Sequence, residues 1–228
     1  MNLYAFSSLF GAVVTAFLGP FVYFRNPRGA LNRVFALLSI SMSYWAFTEF
    51  QARTAESAAR AALWLDMGGT WPLTVALLFH FAAVFTENRP YRRFAVRIAL
   101  VYASAVLLTT VNFVAIPNTT MEVAWGWTDG DLRDPADLTL VFLSYAWAMT
   151  LASISLVYCF TYYRRAESLQ TRKMAKHVLI GMSCPVLFGI TTEVAFPMAG
   201  IHVVELTTSS STLMALFITY AIFRHELF

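Results

Sequence analysis

The sequence is poor in charged residues, cysteine and lysine, and each scarcity excludes a class of protein. Only 13% of the 228 residues are charged and 58% are hydrophobic, a balance typical of a membrane protein with several helices. Cys159 and Cys184 both lie inside apolar segments, so we expect no structural disulfide and no cysteine metal site. Because Lys173 and Lys176 are the only lysines and lie in a polar connection, a retinal Schiff base in the last apolar segment is excluded.

Histidine and catalytic motifs are equally scarce. Of the 4 histidines, only His80 lies within an apolar segment, so a haem held by paired histidines is not expected. The chain has no His-Glu-x-x-His zinc motif, no phosphate-binding glycine loop and no serine elbow. We therefore expect a chain that is not an enzyme and that has no cofactor and no metal site.

Long apolar segments dominate the sequence. Each is about 20 residues or more, which suffices for a helix to cross ~30 Å of hydrocarbon. They occupy residues 3–24, 31–50, 63–86, 94–116, 138–163, 177–199 and 203–223. The sequence therefore predicts an all-α, seven-transmembrane helix bundle, with residues 1–228 forming a single domain and no soluble catalytic domain.

The charged residues are distributed asymmetrically between alternate connections. Of the 16 basic residues, all but Arg53, Arg60 and Arg133 fall in one set of connections and ends. Most acidic residues fall in the other set. The positive-inside rule then places the N-terminus outside and the C-terminus in the cytoplasm of a multi-pass protein of the inner (plasma) membrane. Anionic lipid headgroups account for the basic loops, so no nucleic-acid partner is needed.

Polar and aromatic residues collect in the outer half of the predicted bundle. Carboxylates within a membrane are costly unless they face the bundle interior or water, and the hydroxyl run at 207–212 is too polar for a lipid-facing surface. We expect the long outer connection, 117–137, to form a hairpin or cap over the bundle mouth. The candidate ligand-binding residues are Glu49, Asp66, Trp71, Trp125, Trp127, Glu193, Glu205, Thr208 and Ser209. The alternative is that the tryptophans form an aromatic belt and the hydroxyls serve helix packing.

Several stretches resemble a known family. They are NPRGALNRVFALL at 26–38, LFHF at 78–81, Gly126-Trp127, and the C-terminal FITYAIFRHELF at 217–228. They are similar to the N-terminal seven-transmembrane sensor region of bacterial sensor histidine kinases. The resemblance implies a receptor that passes a signal through its last helix to a cytoplasmic kinase or cyclase domain. We expect Arg224 and His225, at the end of that helix, to pass the signal to the attached domain.

The partners that follow are an unidentified small-molecule ligand, membrane lipids and that output domain, and a homodimer is compatible with this reading. The rival function is a small transporter or a protein that conducts ions or protons, because carboxylates in a bundle can bind cations. A structural or assembly subunit is a third reading. Against transport, the sequence has no inverted repeat.

Overall fold

The computed structural model describes residues 3–86, 91–115, 119–130, 134–196, 199–201 and 203–224, with side chains at all of these except 91–93. Within these ranges the chain is all-α apart from one β-hairpin. The helices are α1 (Leu3–Arg25), α2 (Ala30–Arg53), α3 (Ala58–Gly68), α4 (Trp71–Phe85), α5 (Tyr91–Val114), α6 (Pro135–Arg165), α7 (Leu169–Gly189) and α8 (Thr207–Arg224). A π-helical turn, Ile190–Ala195, continues α7.

The predicted hairpin is present in the connection between α5 and α6. Strands β1 (Thr120–Val123) and β2 (Gly126–Asp129) pair in antiparallel register. They contact α3 and the C-terminal end of α2. The end of the bundle that carries this hairpin is called the hairpin end below, and the opposite end, which carries the α6–α7 connection, is called the basic end.

Five helical segments of the described chain are long and apolar enough to cross a membrane. They are Leu3–Arg25, Ala58–Phe85, Phe94–Val114, Pro135–Arg165 and Leu169–Ala195. Helices α2 and α8 are not among them: α2 carries Asn32, Arg33, Glu49 and Arg53, and α8 begins with the hydroxyl run. The helical bundle predicted from the sequence is therefore confirmed, whereas the count of seven spans is not.

Three predicted segments differ from the structure in ways that matter for the site. The segment predicted at 63–86 is two helices, α3 and α4, separated at Gly69 and Thr70, because Pro72 favours the first turn of a new helix. The segment predicted from residue 177 already begins at Leu169, where the Ser168 hydroxyl accepts a hydrogen bond from the Thr171 N–H and caps α7. The last segment, predicted from residue 203, becomes helical only at Thr207. Glu205 therefore lies in the connection that precedes α8.

The core is formed mainly by α2, α4, α7 and α8, which contribute the fully buried Phe35, Phe81, Met182 and Ile218. Helix α1 packs along α2 and α8, and α6 packs along α4 and α7. Helix α5 contacts α4 and exposes large apolar side chains such as Leu100, as expected of a surface that faces lipid.

Helix α8 is packed closely between its neighbours. A Cβ atom added at Gly181 of α7 would lie 2.8 Å from the Phe217 Cβ, and one added at Gly11 of α1 would lie 2.6 Å from the Thr212 Oγ1. Small residues at such contacts let helix backbones approach closely. The position of α8 is therefore coupled directly to α1 and α7.

Candidate functional site

A cavity of about 1070 Å³ lies at the hairpin end and extends toward the middle of the bundle. Helices α2, α3, α4, α6 and α8, the π-helical turn and the β-hairpin all contribute to its wall. Much of the wall is apolar, and acidic and aromatic side chains are concentrated toward the hairpin. A volume of this size accommodates a drug-sized organic molecule.

The structure brings together most of the candidate residues predicted from the sequence. Those that line the cavity are Glu49, Asp66, Trp71, Trp125, Glu193, Glu205 and Thr208. Trp127 and Ser209 are placed elsewhere. The Trp127 indole N–H donates to the Ala55 carbonyl at 3.0 Å, and the Ser209 hydroxyl lies 3.2 Å from that of Ser7 on α1.

Arg53, the last residue of α2, is the most enclosed charged group at the hairpin end. Its side chain is 1% exposed and forms ion pairs with Glu49, one helical turn earlier, and with Glu205, whose Oε2 lies 3.2 Å from Nη2. Its Nη1 also donates to the Tyr4 carbonyl and to the Ser8 hydroxyl of α1. A buried guanidinium needs such a full set of partners, because an unpaired charge would be costly there.

Two threonines complete this arrangement by donating to the same carboxylates. The Thr208 hydroxyl, in the first turn of α8, donates to Glu49 Oε2. The Thr128 hydroxyl, on β2, donates to Glu205 Oε1. Glu49, Arg53, Thr128, Glu205 and Thr208 are called the Arg53 cluster below. The cluster connects α2 to the hairpin and to the start of α8, and through Tyr4 and Ser8 it reaches α1.

The hairpin approaches the Arg53 backbone at Gly126. This residue has a φ of 114°, and a Cβ atom placed on it would overlap the carbonyl group of Arg53. Only glycine satisfies both the positive φ and the close approach. Gly126 therefore allows β2 to lie directly on the end of α2, beside the Arg53 cluster.

Glu193 lies in the π-helical turn that follows α7. The neighbouring Thr192 donates its hydroxyl to the Phe188 carbonyl at 2.8 Å and accepts a hydrogen bond from the Leu206 N–H at 3.2 Å. The turn is thus joined to the connection that leads into α8. Interruptions of this kind within α-helices are frequent at functional sites.

The acidic groups of the cavity influence one another. Asp129, at the end of β2, is partly open to solvent and is one of the residues that line the cavity. Burial, followed by the Glu205 and Asp66 carboxylates, raises the pKa of Asp129 to about 7. Its carboxyl group therefore changes charge near neutral pH.

The residues predicted to transmit a signal are only partly described. Arg224 is exposed at the last position of α8. The preceding Phe223 stacks on Phe21 of α1, with ring centroids 5.0 Å apart, and the Arg25 guanidinium lies 4.5 Å from the centroid of the same ring. His225 lies outside the described residues.

Arg53 is the central residue that the sequence reasoning did not select. Two signals were available: it is one of few basic residues outside the basic connections, and it follows Glu49 at the i, i+4 spacing of a helical ion pair. Its second partner, Glu205, is 152 residues away in the chain. No local pattern indicates that pairing.

The long apolar helices define a membrane-embedded helical protein, and its cavity places several carboxyl groups within a largely apolar wall. The chain matches, over residues 7–228, the family model described as the N-terminal 7TM region of histidine kinase, and it belongs to that family. The resemblance drawn from the sequence is therefore confirmed. A comparison with curated proteins found no match.

Proposed function

We propose that this chain is a sensor module that detects an extracellular or membrane-borne ligand in the cavity at the hairpin end. The observation that carries the proposal is the composition of the cavity wall, which includes Thr208, Ser211 and Met214 of α8. The same helix continues without interruption to Arg224. A molecule in the cavity therefore contacts directly the element that leads toward an output domain.

In this proposal the chain crosses the membrane seven times, with α3 and α4 together forming one span. The hairpin end faces outward and the basic end faces the cytoplasm, as the distribution of Arg and Lys favours. The output partner is a cytoplasmic histidine kinase domain, in keeping with the family description. The membrane is the plasma membrane.

The signal in this proposal is a change in the position of α8. A ligand shifts a conformational equilibrium only by binding two states with different affinity. The cavity supplies such a difference, since α8, the π-helical turn and the hairpin all contribute to its wall. Because α8 contains no glycine or proline, a displacement at Thr207 can reach Arg224 as a rigid-body movement.

The test uses the chain joined to its kinase domain and reconstituted in lipid. Glu193→Gln replaces an ionisable carboxyl group of the cavity wall with a neutral amide and should change the resting rate of autophosphorylation while the melting temperature stays near that of the wild type. Glu122→Gln is the matched control, because Glu122 lies exposed on β1 and does not line the cavity.

A second arm tests the route through α8. Two glycines inserted after Phe223 relax the helix, at about 1 kcal/mol each relative to alanine, and should abolish the effect of Glu193→Gln. Two alanines inserted at the same place should preserve that effect, although the resting rate itself can differ. An effect of Glu193→Gln that persists with the glycines would mean that the signal leaves by another element. Ion flux through liposomes without any change in kinase rate would favour a transporter instead.

A further inference from the structure

The cavity wall contains several carboxyl groups and no cationic side chain among its described residues. Its carboxylates are Glu49, Asp66, Asp129, Glu193 and Glu205, and none of the described lining residues is Lys, Arg or His. Within the part of the chain that the structure describes, Arg53 is the single cation at ion-pair distance from any of them. Carboxyl groups can ionise beside a bound cation and attract it, whereas an anion would meet no cationic side chain on the described wall, so a positively charged ligand would be favoured electrostatically.

The two carboxylates paired with Arg53 differ in their access to the cavity. The side chain of Glu49 is 10% exposed, whereas that of Glu205 is 34% exposed. The Glu205 carboxylate lies 3.2 Å from Arg53 Nη2 and accepts a hydrogen bond from Thr128, and Arg53 also donates to the Glu205 backbone carbonyl. Arg53 itself, 1% exposed, does not line the cavity. An incoming cation can therefore reach Glu205 directly, while an incoming anion would have to displace carboxylates before it could reach Arg53.

Arg53 retains other partners if Glu205 turns toward a ligand. Glu49 still balances its charge, and Tyr4 and Ser8 still accept its hydrogen bonds. The exchange of partners by Glu205 therefore leaves no buried charge unpaired, which is the condition that makes it energetically accessible.

The aromatic part of the wall suits the same class of ligand. Trp45, Trp64, Trp71, Trp125 and Tyr145 all line the cavity. Trp71 and Tyr145 are stacked, with ring centroids 5.6 Å apart. Aromatic faces bind organic cations, and the apolar remainder of the wall can cover a hydrocarbon body.

We propose that the ligand is an amphiphilic organic cation, a substituted ammonium group on an apolar body, which binds Glu205 in competition with Arg53. Glu205 lies two residues before α8, and Thr208 of the same helix donates to Glu49. Withdrawal of the Glu205 carboxylate from Arg53 therefore removes one of the contacts that join α2 to the start of α8, while the hydrogen bond from Arg53 to the Glu205 carbonyl remains. The inference rests on the proposed sensor function for its signalling consequence, but not for binding itself.

The experiment measures binding to the full chain in phosphatidylcholine nanodiscs. The probes are octyltrimethylammonium and octanesulfonate, which share the apolar chain and differ in the sign of the headgroup. Tryptophan fluorescence reports occupancy, and empty nanodiscs correct for partitioning into lipid. Saturable binding of the ammonium compound is expected, with much weaker binding of the sulfonate. Equal binding of the two, or no saturable binding of the ammonium compound, would overturn the proposal.

Variants assign the binding to named groups. Glu205→Gln and, independently of the Arg53 cluster, Glu193→Gln should each weaken ammonium binding by about tenfold, as expected for loss of a charged contact. Glu122→Gln should change ammonium binding by less than about twofold, because exposed charges contribute little.

Arg53→Met removes the guanidinium that competes with the ligand for Glu205 and should tighten ammonium binding. A uniform effect of all three acidic variants, or weaker binding to folded Arg53→Met protein, would contradict the assignment. Thermal unfolding confirms that each variant is folded.

Failure of this inference is distinguishable from failure of the sensor function. If the ammonium compound binds through Glu205 but leaves the autophosphorylation rate of the attached kinase unchanged, the ligand class stands and the sensor function fails. If a neutral or anionic compound alters that rate and the ammonium compound does not bind, the sensor function stands and the ligand class fails.

Discussion

Arg53 shows how one residue can connect distant parts of this chain. Its guanidinium contacts α1 through Tyr4 and Ser8, its own helix through Glu49, and the connection before α8 through Glu205. A buried guanidinium of this kind contributes to stability mainly because it leaves none of its carboxylate partners unpaired, and less through the electrostatic attraction of the ion pair itself. Its removal should therefore cost more than removal of any surface ion pair.

Arg53→Ala is expected to lower the free energy of unfolding by about 3 kcal/mol, because Glu49 would remain buried without a cation. Arg60→Ala is the matched control, since the ion pair of Arg60 with Glu56 has side chains 65% and 86% exposed. Its removal should change stability by less than about 1 kcal/mol. Unfolding by denaturant in detergent micelles measures both. Equal effects of the two variants would mean that the Arg53 ion pairs are not structural.

Asp129 should make stability depend on pH. The pKa of Asp129 is raised to about 7 in the folded chain. Between about pH 4 and pH 7 the folded state therefore keeps a proton on Asp129, whereas the unfolded state has lost it. Stability therefore falls as pH rises through this interval. Asp129→Asn should raise the melting temperature relative to wild type more at pH 8 than at pH 4.5. Glu122→Gln, a substitution at an exposed position of the same hairpin, should change the melting temperature by the same amount at both pH values.

At the scale of elements, the β-hairpin is attached to the bundle by its backbone. Gly126 has a positive φ and lies against the Arg53 carbonyl, and the adjacent Trp127 donates to the Ala55 carbonyl. The hairpin thus covers the end of α2 and supplies Thr128 to Glu205. A change in this attachment should affect the cavity as well as the hairpin.

Gly126→Ala is expected to detach β2 from α2, because the new Cβ would overlap the Arg53 carbonyl. Gly200→Ala is the control, because it introduces a side chain at a positive φ without the steric overlap. Gly200 also has a positive φ, of 71°, but nothing lies within 4 Å of the position of its Cβ. Hydrogen exchange across residues 120–129 should accelerate only in the Gly126 variant. Acceleration in both variants would attribute the effect to a change elsewhere in the fold.

At the scale of the whole molecule, charge and apolar length together specify a membrane protein. Most basic residues of the described chain lie toward the end opposite the hairpin, in the α1–α2 connection and around the α6–α7 connection. Such an asymmetry orients a helical bundle relative to the cytoplasm. The proposed topology therefore makes opposite predictions for the two ends.

Single cysteines test that topology in a background lacking Cys159 and Cys184. Glu122→Cys, on the exposed face of β1, should react with membrane-impermeant thiol reagents in intact cells. Glu167→Cys, exposed in the α6–α7 connection, should react only after lysis. The reverse pattern would reject the proposed orientation. Labelling of both cysteines in intact cells would mean that α6, the helix between them, does not cross the membrane, and the proposed count of seven spans would be wrong.

The sequence by itself determined the helical class, the membrane character and the family. These properties depend on the length of apolar segments and on local motifs, which do not require knowledge of packing. The hairpin between residues 117 and 137 was also predicted correctly, because its strands pair residues that are close together in the sequence. The start of α8 was misplaced by four residues. The apolar character of Val203 and its neighbours predicted a buried segment, but it did not show whether that segment is helical or extended.

Only the tertiary structure decided which polar residues meet. Glu205 and Arg53 are 152 residues apart, Thr208 and Glu49 are 159 apart, and no periodicity relates positions so distant. The same packing directs Ser209 toward α1 although Thr208, its neighbour, faces the cavity. Successive residues of a helix point about 100° apart, so the rotation of α8 within the bundle, set by contacts with α1, α2 and α7, determines which hydroxyl lines the site.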